Sequence, residues 1–583
     1  MARRGSVLFL FVLALVLAAA LPANAQSFRV QCPTTTITHP TAVTSTQGEP
    51  AYNGPTQFGT AAISGVKGGY VTPTSNVNGA IKCQQISGGD GLSTMADGTQ
   101  TYIFSFGPLS GLADVANGQA GTQYPDVFNT VYPGTAGNPL LLRGDPATTD
   151  GASSGASPGA TGTFTWNGAV GLTPDVDAIA DGQCAAPCLD GHVDTHQIID
   201  VGVLNGNIPA PLLAFDEDDE VFFTLTNVGM IMRPDLFEQH TVHFHGYPNA
   251  SSFYDGVPDA SVAINIGGSF TYYYLSPDAG TYFWHCHITP PEHLQMGMVG
   301  QLYVRPRQNR VPTNGNLYTY LGYQNGIGVT GTPDLRTVCN PAADILCSAT
   351  MPAINTGATR PASGTLCSGT PTTATPTTPK YAYNDGDGST CYDVEYPIQM
   401  HGFDPNFHFV GMTFNPEMFV DMKDKYFLLN GRGYPDTVSA GPQATVTTDG
   451  NMHYSQPMPA LINIPAGGRA LLRLVNLSVS EYHTLASLGI PMKEIGFNAK
   501  LLRDQGGNNT EFYTNSITLG GGESLDVILD ASNTTLYPAG TVFYLYTPQL
   551  DHLSNDAENF GGMMTEVHIC NSVTSNTYGN SCQ

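Results

Sequence analysis

Apolar and polar residues alternate along this chain in short runs separated by turn residues. EVFFTLTNV (220–228), SFTYYYL (269–275) and ALLRLVNL (470–477) each have the length of one β-strand and lie between Gly, Pro and Asn clusters. Apolar spacing of helical period is scarce, so the pattern predicts an all-β sandwich or barrel protein. Two stretches break the rhythm. Residues 107–190 shift to Gly, Ala, Thr, Asp and Pro and read as a long surface insertion; residues 306–380, with PTTATPTTPK, read as a linker between two domains.

The two halves repeat one another. DEVFFTLTN, HTVHFHG, GSFTYYYL and AGTYFWHCH follow in order up to residue 287, and GRALLRLVN, HTLASLG, GESLDVIL and AGTVFYLYT follow in the same order up to residue 547. Four blocks at similar spacing imply a duplicated sandwich unit. The expected organisation is a signal peptide at 1–25, an N-terminal region with the first strands and the insertion at 26–190, a first domain at 191–306, the linker at 307–380, a second domain at 381–570 and a tail at 571–583.

The start of the chain changes the picture of where it works. Arg3 and Arg4 precede an apolar run from Val7 to Leu21, then Ala23-Asn24-Ala25, which reads as a cleaved export signal, the paired arginines leaving the route open. A periplasmic or secreted protein is expected, with no membrane span. Eleven cysteines suit an oxidising compartment; with Cys286 set aside as a metal ligand, ten can pair as five disulfides. With 47 acidic against 21 basic residues, a formal charge of −26 argues against nucleic acid or an anionic membrane as partner.

The candidate chemistry is concentrated in two blocks. HCHITPPEHLQMGM (285–298) puts a cysteine, further imidazoles and a thioether in one loop, and HTVHFHG (240–246) adds three histidines on a strand that a sandwich would bring alongside. Singly, each residue is ordinary: a buried small thiol, a satisfied histidine, a core methionine. Together they form a set suited to copper cycling between two oxidation states, with thiolate for the reduced ion, imidazole for the oxidised one and a weak axial thioether. That set is His240, Cys286, His293 and Met298; Pro290 and Pro291 restrict its loop.

These two blocks, with YDGVP (254–258), resemble the copper motifs of the multicopper oxidase family, laccase-like and of two cupredoxin domains, with copper nitrite reductases as the nearest relative group. The resemblance covers 190–306 well and 380–570 weakly. It implies an all-β fold of two cupredoxin-like Greek-key β-sandwich domains carrying long Gly/Pro/Thr-rich insertions. It also implies copper as cofactor, type 1 at His240, Cys286, His293 and Met298, plus type 2 and/or type 3 at His243, His245, His285 and His287. The implied activity takes single electrons from a reductant such as a phenol, Mn(II) or Fe(II) and passes them through Cys286 to its flanking histidines, where dioxygen becomes water.

The sequence departs from the family in its second half. A complete three-copper cluster draws eight histidines from two domains, and the first supplies four. Aligned on the repeated blocks, Ala486 and Leu488 stand for His243 and His245, and Leu545, Tyr546 and Thr547 for His285, Cys286 and His287, leaving a second sandwich without copper motifs. The missing ligands are sought in His192 and His196, or in His401, His408, His453 or His552 of a neighbouring subunit in a homo-oligomer such as a trimer. Two smaller readings remain: a nitrite-reductase-like enzyme with type 2 copper at His245 and His285, against which His243 and His287 are extra imidazoles, and a type 1 electron carrier.

Overall fold

A computed structural model describes residues 78–108, 206–320 and 358–583 apart from short gaps within them, together with a few short segments before residue 78 and at 164–166. The expected signal peptide, most of the insertion and most of the linker lie outside the described residues. Among the described residues no helix is long and apolar enough to cross a membrane.

The first sandwich packs two four-stranded sheets. One has the order β6-β4-β1-β2, from β1 (Ile81–Thr94), β2 (Gln100–Pro108), β4 (Glu220–Gly229) and β6 (Ser269–Leu275); the other has the order β3-β8-β7-β5, from β3 (Leu213–Asp216), β5 (His243–His245), β7 (Gly280–His285) and β8 (Val299–Arg305). The strands anticipated in the N-terminal region therefore join the sandwich that carries the metal motifs. The alternation read in β4 sends Val221, Phe223 and Leu225 into the core. There Phe223 meets Trp284 edge-on at 5.1 Å and Phe106 stacks on the same indole at 5.1 Å. Trp284 is fully buried, and its Nε1–H donates to the Pro211 carbonyl (3.1 Å), satisfying the one polar atom that its burial would orphan.

The second sandwich repeats the plan. One sheet runs β10-β9-β12-β16-β14, from β9 (Val394–Phe403), β10 (Tyr426–Leu429), β12 (Arg469–Asn476), β14 (Met492–Phe497) and β16 (Glu523–Asp530), with two short strands, Lys500–Leu501 and Phe512–Thr514, on β14. The other runs β11-β18-β17-β13-β15, from β11 (Ile462–Pro465), β13 (His483–Leu488), β15 (Ser516–Leu519), β17 (Val542–Tyr546) and β18 (Met564–Cys570). In both halves the first strand of this sheet pairs parallel with the last, β3 with β8 and β11 with β18, as in Greek-key sandwiches of the cupredoxin type. The protein is all-β in two cupredoxin-like β-sandwiches.

Strand register corrects the internal alignment by one residue. His243 lies opposite His285 across β5 and β7, and Ala486 lies opposite Tyr546 across β13 and β17. Tyr546, not Leu545, thus stands at the place of His285, and Thr547 at that of Cys286. The matched AGT tripeptides misled because Gly280 is paired within β7, whereas Gly540, at φ +87°, turns the chain before β17 begins.

The two sandwiches are joined through β7, the strand that ends in His285. Thr281 Oγ1 donates to Asp526 (2.5 Å), the Arg473 guanidinium donates to Thr281 Oγ1 (3.1 Å), and Ser524 Oγ donates to the Thr281 carbonyl (2.6 Å). Phe283, Leu294 and Val299 of the first sandwich share an apolar cluster with Val475 and Leu477 of the second. Behind it, Glu395 lies between Arg473 (2.8 Å) and Arg305 (3.0 Å), all three largely or wholly buried.

A second tie passes through Asp424, whose carboxylate accepts from Gln295 (2.5 Å) and Ser478 (3.2 Å) and also from Ser480. Burial raises its pKa to about 6 against these hydrogen bonds, and nearby Glu481 pushes the same way. The folded state then binds the proton more tightly than the unfolded chain, whose aspartates titrate near about 3.9. This contribution to stability is fully present below that value and is lost as pH rises through about 6. Denaturant midpoints between pH 4 and 6 should fall with rising pH in the parent, and that part of the slope should vanish in Asp424→Asn.

Of the expected disulfides, Cys367–Cys391 and Cys570–Cys582 are formed, and Cys286 is a buried free thiol. The pairing of Cys32, Cys83, Cys184, Cys188, Cys339 and Cys347 lies outside what is described.

Candidate metal centre

The loop between β7 and β8, which its two prolines were expected to restrict, contains a short helix. Thr289 takes a left-handed conformation (φ 37°) and Pro290 opens a six-residue helix, α1 (Pro290–Gln295), where a missing N–H costs nothing. The helix turns His293 back toward Cys286, and two backbone bonds close the loop: Cys286 N–H to Met298 O (3.1 Å) and Met298 N–H to His293 O (2.9 Å). His293 Nδ1 sits 3.3 Å from Cys286 Sγ. His240 arrives from the segment before β5, its ring 5.4 Å from that of His293, and its ring nitrogens, the Cys286 sulfur and those of His293 share one compact space. Met298 lies on the same loop and, like the other three, is fully buried.

The donor set passes a direct test of fit to a metal. His240 is completely buried, yet neither ring nitrogen has a hydrogen-bond partner. An imidazole in that position is costly unless an ion takes its lone pair. Burial, and then the neighbouring His293, hold its pKa well below the ordinary histidine value, so it is a neutral donor. Burial alone would lower His293 too, but Cys286 and the Glu238 carboxylate, 3.6 Å from Nε2, raise it to about 9. Phe104 and Phe106 close the apolar side, edge-on to His293 (5.2 Å) and His240 (6.3 Å).

A second group stands next to the first. His243 and His245 point from β5 and His285 from β7, with a ring nitrogen of each within 4.8 Å of the others. The His287 ring lies 5.1 Å from that of His243 and 5.6 Å from that of His285. Hydrogen bonds fix the tautomers: His243 Nδ1–H donates to the Asp255 carbonyl (2.7 Å) and His285 Nδ1–H to the Cys286 carbonyl (2.7 Å). Both Nε2 atoms then present lone pairs to the group, that of His285 facing His245 Nδ1 at 3.3 Å. Burial, with the neighbouring imidazoles, lowers His245 to about 4 and His285 to about 3, so both are neutral near pH 7.

YDGVP owes its place to this group. Gly256 has φ +82°, and a Cβ there would lie 1.9 Å from the Val242 carbonyl oxygen, so only glycine lets the turn lie on the ligand strand and present the Asp255 carbonyl to His243. Gly256→Ala should cost more than about 1 kcal/mol and loosen His243. The expected result, measured as metal per chain, is a partial loss confined to the histidine group while the Cys286 centre stays loaded.

Of the sequence-predicted ligands, His240, Cys286 and His293 come together in the first group and His243, His245 and His285 in the second, with the His287 ring beside it and Met298 on the loop of the first. Among the described residues, the candidates for completing the second group do not join it within the chain. His401 and His408 are buried against Gln295, bonding its carbonyl (3.2 Å) and its Oε1 (2.9 Å); His552 pairs with His483 and Glu481. His192, His196 and the side chain of His453 lie outside the described residues. Toward the second sandwich, His245 looks across an open cleft at Gly522 and Ser524, where no imidazole stands among the described residues. Sequence reasoning missed Asp255 and Glu238, which contact His243 and His293, and Gln295, which ties the cysteine loop to the second sandwich. Asp255 lay within a quoted motif; Gln295, inside the cysteine loop, carried no signal of its bonds to Asp404 (3.1 Å), His408 and Asp424.

The geometry agrees with the family comparison. The family model described as "Multicopper oxidase" matches residues 191–309. Those residues are a multicopper oxidase domain. Its curated relatives include "Multicopper oxidase MCE" of Talaromyces pinophilus, 36% identical over 112 residues, which are 19% of this chain and 17% of that protein. "Laccase-1" of Emericella nidulans is 37% identical over 107 residues, 17% of this chain and 15% of that one. The chain thus spans about a sixth of the length of these relatives. Among solved structures, "Crystal structure of Blue Copper Oxidase from Nitrosomonas europaea" aligns with a TM-score of 0.37 and 19% identity over 63% of this chain and 78% of that one. A "Copper nitrite reductase from Nitrosomonas europaea" aligns at 0.38 and 11% over 84% and 94%. Copper is the metal of the multicopper oxidase domain, and the thiolate, imidazole and thioether set found here suits it.

Proposed function

We propose that the chain is an exported copper-dependent oxidase that takes single electrons from a small reductant, a phenol, Mn(II), Fe(II) or similar, and reduces dioxygen to water. Bound copper supplies one-electron redox chemistry, type 1 at His240, Cys286, His293 and Met298, and type 2 and/or type 3 at His243, His245, His285 and His287. The protein's part is to hold the two groups at fixed separation and to keep water from the first. The observation that carries the reading is the placement of Cys286. Its side chain belongs to the buried centre, while its backbone carbonyl accepts the Nδ1–H of His285 in the other group. One residue therefore links the electron-entry centre to the imidazoles by covalent bonds and one hydrogen bond.

His243, His245 and His287 are partly exposed, and we infer that imidazoles from a second copy of the chain complete the cluster in a homo-oligomer. A smaller site has its own support: the three ring nitrogens already within reach of one another suffice for a single ion, as a nitrite-reductase-like enzyme would use. Copper counting, paramagnetic resonance and gas exchange on the purified protein separate the readings. The oxidase requires about four coppers per chain, a magnetically silent pair and oxygen uptake with a phenol or metal-ion reductant. Two coppers, a visible type 2 signal and nitrite turnover would replace it with the reductase, and one copper without turnover with an electron carrier.

A further inference from the structure

The duplication places a second set of ligand-type side chains in the sandwich that lacks the copper motifs. Register equates β13 with β5, so His483 stands where His240 does, three residues before the paired Ala486 or His243. The loop bonds then match one for one. Cys286 N–H donates to Met298 O (3.1 Å) and Thr547 N–H to Met563 O (3.0 Å); Met298 N–H donates to His293 O (2.9 Å) and Met563 N–H to His552 O (3.0 Å). The histidine rings are 5.4 Å apart in the first sandwich and 5.2 Å in the second. Even the acidic partner recurs: Glu238 lies two residues before His240 and near His293, and Glu481 lies two residues before His483 with its carboxylate 2.7 Å from His552 Nε2. His483, Thr547, His552 and Met563 thus occupy the places of His240, Cys286, His293 and Met298. Only the thiolate is absent.

The remaining donors face one another in ligand geometry. Because His552 Nε2 is engaged by Glu481, its Nδ1 lone pair turns toward His483 Nδ1, 3.4 Å away. Two imidazole nitrogens bound to one tetrahedral ion at about 2.0–2.1 Å are separated by about 3.4 Å. His483, Thr547, His552 and Met563 are all essentially buried, His483 Nε2 has no partner, and Phe427 covers the pair, stacked on His552 at 4.0 Å. Two imidazoles and a thioether, shut away from water and without a thiolate, form a soft set that favours the cuprous over the cupric ion or zinc.

We propose that the second sandwich binds one Cu(I) ion through His483 Nδ1, His552 Nδ1 and Met563, with Thr547 in the position of the missing thiolate. This site is separate from the proposed oxidase centres and needs none of their ligands.

The test is anaerobic titration of the metal-free full chain with Cu(I), with the visible band of the Cys286 centre recorded after reoxidation. His552→Ala should bind one Cu(I) fewer per chain and keep that band. Met563→Leu, which preserves the apolar packing, should weaken the same single ion by at least about tenfold, a loss found even on altering groups outside the ligand sphere. Thr547→Cys placed in a Cys286→Ser chain should gain an intense visible absorption on oxidation. Unchanged Cu(I) stoichiometry and affinity in folded His552→Ala and Met563→Leu, or a folded Thr547→Cys chain that stays colourless with copper, would overturn the proposal. Failure of the oxidase reading would appear elsewhere, as an absent Cys286 band in the parent.

Discussion

Cys286→Ser should yield a folded protein that has lost its visible colour, holds one copper fewer per chain, and consumes oxygen at the background rate. Folding should survive because the change swaps one small side chain for another. The loop is held by backbone bonds of Cys286 and Met298 that do not involve the sulfur. Metal binding should not survive. His240 and His293 alone offer two imidazoles where the soft anionic ligand had supplied both charge and covalency. The histidine group keeps all four side chains and should retain its own copper, so activity fails for want of electron entry. Absorbance, metal analysis and oxygen uptake on one preparation check all three parts. An unchanged spectrum would show that the thiol is not a ligand.

Glu395→Gln should have the largest effect on stability, a loss of about 3–5 kcal/mol. The carboxylate is buried between Arg473 and Arg305 and also accepts from Tyr392 (2.9 Å). Glutamine keeps the shape and removes the charge. Arg473, wholly buried, would be left with Asp526 at 3.6 Å as its remaining ion-pair partner. Burial by itself would raise the Glu395 pKa, but the two guanidiniums overcome it and hold the group far below the ordinary carboxylate range. Its contribution is therefore present above the unfolded value and is lost as pH falls through the folded one. The parent should lose this stabilisation only in strong acid, and the variant should lack that acid-dependent step. Because the triad is shielded from solvent, added salt should leave the difference nearly unchanged. Denaturant unfolding with and without salt measures both.

Much of this was legible in the sequence, for identifiable reasons. The candidate metal ligands stood out because copper chemistry calls for a thiol, imidazoles and a thioether close together, and most of them lie in one contiguous loop. The strands stood out because half-buried sheets alternate. Legibility ended where contacts are made between distant residues. His552 read as a solitary histidine because its partner, His483, lies on another strand and the loop between Thr547 and Met563 shares no motif with HCHITPPEHLQMGM. The register of β17 was misjudged by one position because a tripeptide match says nothing about whether its glycine is in a strand or a turn. Helix α1 was hidden by prolines that, at its first turn, begin a helix instead of forbidding one.

Strand β7 has one end in the metal site and its middle locked to the neighbouring sandwich through Thr281, Arg473, Ser524 and Asp526. Separate lobes of a chain commonly swing about their junction, but here any such swing would drag His285 with it. The pair should therefore behave as one stiff block, with the position of His285 tied to both sandwiches.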